Sequence, residues 1–85
     1  MEDKVAYELY NKLAYIIEQP DYIHSDEWTN NETTLLNWSI HQYCEKKGIT
    51  LHDLNPSNWA TISGFVPGRG FKECEAKFAQ GLYLV

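Results

Sequence analysis

Apolar side chains recur at helical spacing along the chain, and no stretch alternates in a convincing strand pattern. The first segment, residues 3–18, has a broad apolar stripe that consists of Val5, Leu9, Leu13 and Ile16, widened by Ala6, Tyr10 and Ile17. Pro20 disfavours helical conformation at Gln19 and therefore ends the element. The pattern predicts an amphipathic N-terminal helix, followed by a linker up to residue 27.

Three further helices are predicted between residues 29 and 80. The second begins near Thr29, whose spacing to Glu32 is that of a capping box, and ends before Gly48. The third follows Asn55 and Pro56, a capping side chain and a proline at the first helical position, and reaches about residue 63. The last covers about residues 70–80, with an apolar stripe of Phe71, Cys74, Phe78 and Leu82. We therefore expect an all-α fold, in which residues 49–55 form a loop with room for one helical turn.

The second helix carries two separate apolar faces. Leu36, Ile40 and Tyr43 lie together on one face, and Leu35 and Trp38 lie on another. A tryptophan beside a leucine is seldom left in water, and the stripe of the first helix also needs a cover. We expect the first helix to pack on Leu35 and Trp38, giving a four-helix domain. The alternative is that one of these surfaces binds a partner.

The negative charge of the chain is concentrated in its N-terminal part. The 85 residues have a formal net charge of −5, and a chain of this length forms one small domain. Residues 1–27 hold two lysines and seven acidic residues, which gives −5, whereas residues 28–85 hold five basic and five acidic residues. Modules that depend on nucleic-acid phosphates are usually basic. No apolar run has the length of a membrane span, so no membrane association is expected.

The sequence shows no pattern typical of a catalytic or metal-binding protein. Cys44 and Cys74 lie in helical patterns and are expected to be reduced, buried thiols, and the three histidines lack metal-ligand spacing with them. Gly64, Gly68 and Gly70 are spaced as turn residues rather than as a phosphate-binding loop. We therefore expect no enzymatic activity, no cofactor and no small-molecule substrate.

Residues 28–82 contain an ordered series of aromatic, aliphatic, acidic and Gly-Arg positions. They are Trp28-Thr29, Glu32, Leu36, Ile40, Tyr43, Trp59, Ile62, Gly68-Arg69, Cys74 and Phe78. With these residues the segment resembles a Myb/SANT repeat, and the spacings within residues 28–43 and 59–78 match that family without a gap. The loop at about residues 44–55 is longer than is typical of the family. The resemblance implies a three-helix, helix-turn-helix-like bundle, to which the N-terminal helix predicted from the apolar pattern would be an addition.

The resemblance also implies a core and an ion pair. Its structural core would be Trp28, Leu36, Ile40, Tyr43, Trp59, Ile62, Cys74 and Phe78, with Trp28, Trp59 and Phe78 as the three large aromatic side chains at the centre. Glu32 would pair with Arg69 and tie the first helix of the repeat to its last; the alternative is that both side chains are simply solvated. The packing of the added helix follows instead from the two uncovered apolar faces, and would use Val5, Leu9, Leu13, Ile16, Leu35 and Trp38.

The last helix of the repeat carries the residues that bear on function. In DNA-binding relatives this helix lies in the major groove. The corresponding face for DNA or a protein partner consists of Arg69, Lys72, Glu73, Glu75, Ala76, Lys77 and Ala79. Lys72 matches a base-contacting position, but Glu75 stands where a basic residue is usual, and alanine side chains cannot hydrogen-bond.

SANT relatives carry acidic groups on the last helix and contact proteins such as histone tails, and Glu73 and Glu75 resemble that variant. The favoured interpretation is a nuclear module of a chromatin or transcription complex that binds a protein. The alternative is duplex DNA binding, of low affinity or dependent on a neighbouring domain, and the charges on this helix could also serve solubility alone. The apolar end of the chain, Leu82 to Val85, suggests a fragment of a longer protein.

Overall fold

The computed structural model describes residues 3–23 and 27–80, which form four α-helices and one short 3-10 helix. The α-helices are α1 (Asp3–Ile17), α2 (Asn30–Lys47), α3 (Pro56–Ser63) and α4 (Phe71–Ala79), and the 3-10 turn lies at Leu51–Asp53. Neither described range contains a strand, so the predicted all-α class is confirmed. Leu82, which was predicted to extend the apolar stripe of α4, lies outside the described residues. No helix within these ranges is long and apolar enough to cross a membrane.

The helix boundaries follow the local signals in the sequence. At the start of α2, the backbone N–H of Glu32 donates to the Thr29 hydroxyl at 3.2 Å, and the Thr29 N–H donates to the Glu32 carboxylate at 3.0 Å. The α2 helix ends at Gly48, which has a left-handed φ of 68°. At the start of α3, the Asn58 N–H donates to the Asn55 side chain at 3.0 Å. The capping residues predicted from the sequence therefore set both helix starts.

The main core lies between α2, α3 and α4. Its buried members are Leu36, Ile40, Cys44, Trp59, Ile62, Val66 and Cys74, and half-buried Trp28, Tyr43 and Phe78 pack against them. The expectation of three central aromatic residues is therefore correct only for Trp59. Aliphatic side chains and two thiols fill the centre, while Phe78 packs against Trp59 with 5.4 Å between ring centroids and an angle of 52° between the ring planes. Val66, in the turn after α3, belongs to this core and was not predicted.

The α1 helix packs against α2 through a second, smaller cluster. Ala6, Leu13 and Leu35 are buried in it, and Trp38 is half-buried against them. The expectation that Val5 and Ile16 also pack here is wrong, since they are 43% and 38% exposed. The apolar stripe of α1 is wider than one neighbouring helix can cover, and contact occurs along the edge that carries the small Ala6 side chain, where backbones can approach closely. One flank of the stripe is left in water as a result.

Candidate functional site

The most elaborate polar arrangement in the described residues surrounds Arg69, at the turn before α4. Its Nε and Nη2 donate to the two carboxylate oxygens of Glu32, both at 2.9 Å. Its Nη1 donates to Glu73 at 3.0 Å, and Nη2 also donates to the backbone carbonyl of Glu27 at 2.6 Å. The guanidinium carbon lies 4.7 Å from the centroid of the Trp28 ring. This forked pairing ties the start of α2 to the start of α4.

Gly68 places Arg69 in this position. Its φ of 85° lies in the left-handed region that favours glycine. A Cβ at residue 68 would also lie 3.2 Å from the Cγ2 atom of Ile17, near the end of α1. The Gly-Arg step of the motif therefore combines a backbone turn with close contact to the added N-terminal helix.

The electrostatics of the pair keep both partners charged. Burial by itself raises the pKa of Glu32, but hydrogen bonds from Arg69 and Thr29 outweigh it and lower the pKa below its ordinary value. Burial likewise opposes the charge on Arg69, whereas its bonds to Glu32 and Glu73 raise its pKa. The ion pair implied by the resemblance is thus present in the structure. The expectation that Arg69 also belongs to an exposed face is wrong, because Arg69 is 6% exposed and its guanidinium is already bonded.

The outer face of α4 is therefore less basic than its sequence suggests. Lys72, Glu75, Ala76 and Ala79 are exposed, while Lys77 is half-buried. Glu73 is also half-buried, and its carboxylate is bonded to Arg69. What remains free to meet a partner along this face is a pair of lysines, one glutamate and two small apolar side chains.

A second candidate surface is visible only in the folded chain. It is a groove of about 390 Å³ between α1, α2 and the turn after α3, lined by Asp3, Ala6, Tyr7, Tyr10, Leu35, Trp38, Gly64 and Phe65. We call it the α1 groove. The sequence paired the α1 stripe, which includes Tyr10, with Trp38, but it did not indicate that Tyr7 and Phe65 would lie in the same groove. The sequence feature that could have indicated this groove is the spacing of Tyr7 and Tyr10, which are three residues apart and therefore lie on one side of α1.

The two thiols are poor candidates for chemistry. Both Cys44 and Cys74 are free and buried. Burial, with a smaller contribution from the Glu73 charge, raises the pKa of Cys74 to about 12, so its thiolate is scarce at neutral pH. Within residues 3–23 and 27–80, no group of three or more His, Cys, Asp or Glu side chains is placed to hold a metal ion.

Comparison of the chain with protein-family models, curated proteins and solved structures returns no match. The outer face of α4 and the α1 groove are the two candidate binding surfaces of the described chain.

Proposed function

We propose that the chain is a non-enzymatic, Myb/SANT-like interaction module of a nuclear, chromatin- or transcription-associated protein, and that its primary partner is a protein with a basic segment. Three features support the likeness to the family. The helices α2, α3 and α4 follow one another in the expected order. Glu32 and Arg69 form an ion pair between the first and last of them, and Trp59 packs against Phe78.

The observation that carries the choice of partner is the burial of Arg69. In a duplex reader, the affinity depends on cations that neutralise phosphates. Here Glu32 and Glu73 neutralise the one arginine of the chain, and Glu75 offsets one of the remaining lysines of α4. This helix therefore lacks the positive excess that a phosphate backbone would attract.

The α1 groove gives positive support for a protein partner, in addition to the charge balance of α4, which disfavours a nucleic-acid partner. Tyr7 and Phe65 on its walls are 69% and 47% exposed. Large apolar side chains gathered in one exposed patch are typical of binding surfaces, and aromatic residues are enriched in protein interfaces. The formal net charge of −5 favours a basic partner over an acidic one.

Duplex DNA binding through α4 is the second candidate, and one observation favours it. Lys72 is exposed beside Ala76 and Ala79, whose small side chains would let the helix approach a DNA groove closely.

A salt titration separates these candidates. Fluorescence anisotropy with labelled generic duplex DNA should detect no binding at low salt, or binding that Lys72→Glu and the control Lys12→Glu, on α1, reduce equally. Micromolar affinity for the duplex with a steep salt dependence, lost selectively in Lys72→Glu, would overturn the proposal and establish DNA binding through α4.

A further inference from the structure

The α1 groove brings four aromatic side chains together from three separate elements. Tyr7 and Tyr10 come from α1, Trp38 comes from α2, and Phe65 comes from the turn after α3. Among the described residues, Asp3 is the only charged residue that lines the groove. Among the described residues, the groove therefore combines four aromatic side chains with one carboxylate, which distinguishes it from a purely aliphatic docking groove.

The faces of aromatic rings carry negative electrostatic potential and attract cations, most effectively where water is displaced. The same chain already uses this interaction, since Arg69 lies over Trp28 at 4.7 Å and Lys47 lies near Tyr43 at 5.9 Å. An aromatic groove with one carboxylate therefore favours a positively charged side chain over a neutral or acidic one.

The apolar lining also selects among cations. A primary ammonium is strongly hydrated and would need several hydrogen-bond acceptors to replace its water, whereas Asp3 is the one charged residue among the described residues that line the groove. A trimethylated ammonium has no N–H donors and presents methyl groups to the rings, so it loses less on entering. The volume of about 390 Å³ exceeds what one such group fills and leaves room for adjoining peptide residues.

We propose that the α1 groove binds a trimethylated lysine side chain of a basic peptide, with the rings of Tyr7, Tyr10, Trp38 and Phe65 around the quaternary ammonium and Asp3 supplying the opposite charge. This inference rests on the proposed function as a protein-binding module. It adds the chemical class of the partner and places the contact on the added N-terminal helix rather than on α4.

The test uses the full 85-residue chain and three synthetic peptides that share one lysine-rich sequence. Their central residue is trimethyllysine, unmodified lysine, or the uncharged tert-butyl isostere of trimethyllysine. Isothermal titration calorimetry should show the tightest binding for trimethyllysine, by about 2- to 30-fold over the neutral isostere, the range that a cation–π contact supports. Equal affinity for the charged and neutral peptides would overturn the proposal, since the groove would then act by hydrophobic contact alone.

Three variants locate the contact. Tyr7→Leu removes a ring that is 69% exposed, so the fold should be retained, and it should abolish the preference for trimethyllysine. Tyr15→Leu is the matched control, because Tyr15 is 67% exposed on the same helix but does not line the groove. Asp3→Asn should reduce affinity for the trimethyllysine peptide more than for the peptide with the uncharged isostere, because only the former places a positive charge in the groove.

The failure of this inference differs from that of the proposed function. If the peptides bind equally and Tyr7→Leu has no effect, the groove assignment is wrong while the protein-binding module stands. If none of the peptides binds and the chain binds DNA through Lys72, both fail. A dimer in sedimentation equilibrium that Tyr7→Leu dissociates would identify a second copy of the chain as the occupant, which also overturns the proposal.

Discussion

Arg69 shows how the role of a single residue depends on its surroundings. In the sequence it is a cation at the start of the last helix, where a DNA-binding relative would expose it. In the structure its side chain is 2% exposed and its donors reach Glu32, Glu73 and the Glu27 carbonyl. A guanidinium with five donors in a rigid fork suits such a site, because it can satisfy several acceptors at once. The residue is a structural tie between α2 and α4.

Removing the partner of this guanidinium should destabilise the chain strongly. We expect Glu32→Ala to reduce the free energy of unfolding by about 3 kcal/mol, since it leaves a buried positive charge with one of its two carboxylates missing and also removes a helix cap. Glu75→Ala, an exposed change of the same kind on α4, should cost at most about 0.5 kcal/mol. Urea unfolding followed by tryptophan fluorescence measures both values. Similar losses for the two variants would contradict a buried pair in solution.

The same carboxylate should make stability depend on pH. Because the folded chain holds the pKa of Glu32 below its ordinary value of 4.5, this group contributes stability above that pH and loses it as the pH falls through the folded value. We expect the difference in urea midpoint between the wild type and Glu32→Gln to be largest at neutral pH and to shrink below about pH 4.5. Other carboxylates titrate in both proteins and cancel in this difference. A difference that stayed constant down to about pH 3 would show that the ionised form of Glu32 is not favoured by folding.

At the scale of the elements, α1 illustrates what a hydrophobic stripe specifies. The period of its apolar residues predicted a helix and a packed face, and both are present. The stripe does not specify which of its edges meets α2, because seven apolar side chains spread over much more of the helix surface than one contact covers. In the folded chain the Ala6 and Leu13 edge meets Leu35 of α2, and Ile17 at the end of α1 lies close to Gly68 in the turn before α4.

Truncations on the two sides of this stripe should therefore differ. Leu13→Ala, at a side chain that is 7% exposed, should cost about 2–4 kcal/mol through the loss of buried apolar area and the cavity that remains. Ile16→Ala, at 38% exposed, should cost less than about 1 kcal/mol. Both are changes to alanine within one helix, so intrinsic helix propensity affects them similarly. Thermal unfolding followed by circular dichroism distinguishes the two variants. A larger loss of stability for Ile16→Ala than for Leu13→Ala would contradict the packing of the Ala6 and Leu13 edge against α2.

At the scale of the whole molecule, α2 joins two hydrophobic clusters. Adjacent residues Leu35 and Leu36 enter different clusters, the first facing α1 and the second facing α3 and α4. The radius of gyration of 12.5 Å is close to the value of about 12 Å that a compact chain of this length has, so α1 is part of the folded body. The negative charge is concentrated in residues 1–27 of the sequence. The same segment supplies Tyr7 and Tyr10 to the groove for which we propose a cationic side chain.

For the described residues, the pattern of the sequence was enough to give the number of helices and their ends to within one residue, while most of the core between α2 and α4 came from the resemblance to the Myb/SANT pattern. Capping boxes, Pro56, Gly48 and the helical period act over a few neighbouring residues, so these features can be derived without a structure. The burial of Arg69, the edge of α1 that meets α2, and the α1 groove became visible in the folded chain alone. Those features join residues far apart in the chain, such as Arg69 and Glu27 at a separation of 42, and their contacts depend on how whole helices pack.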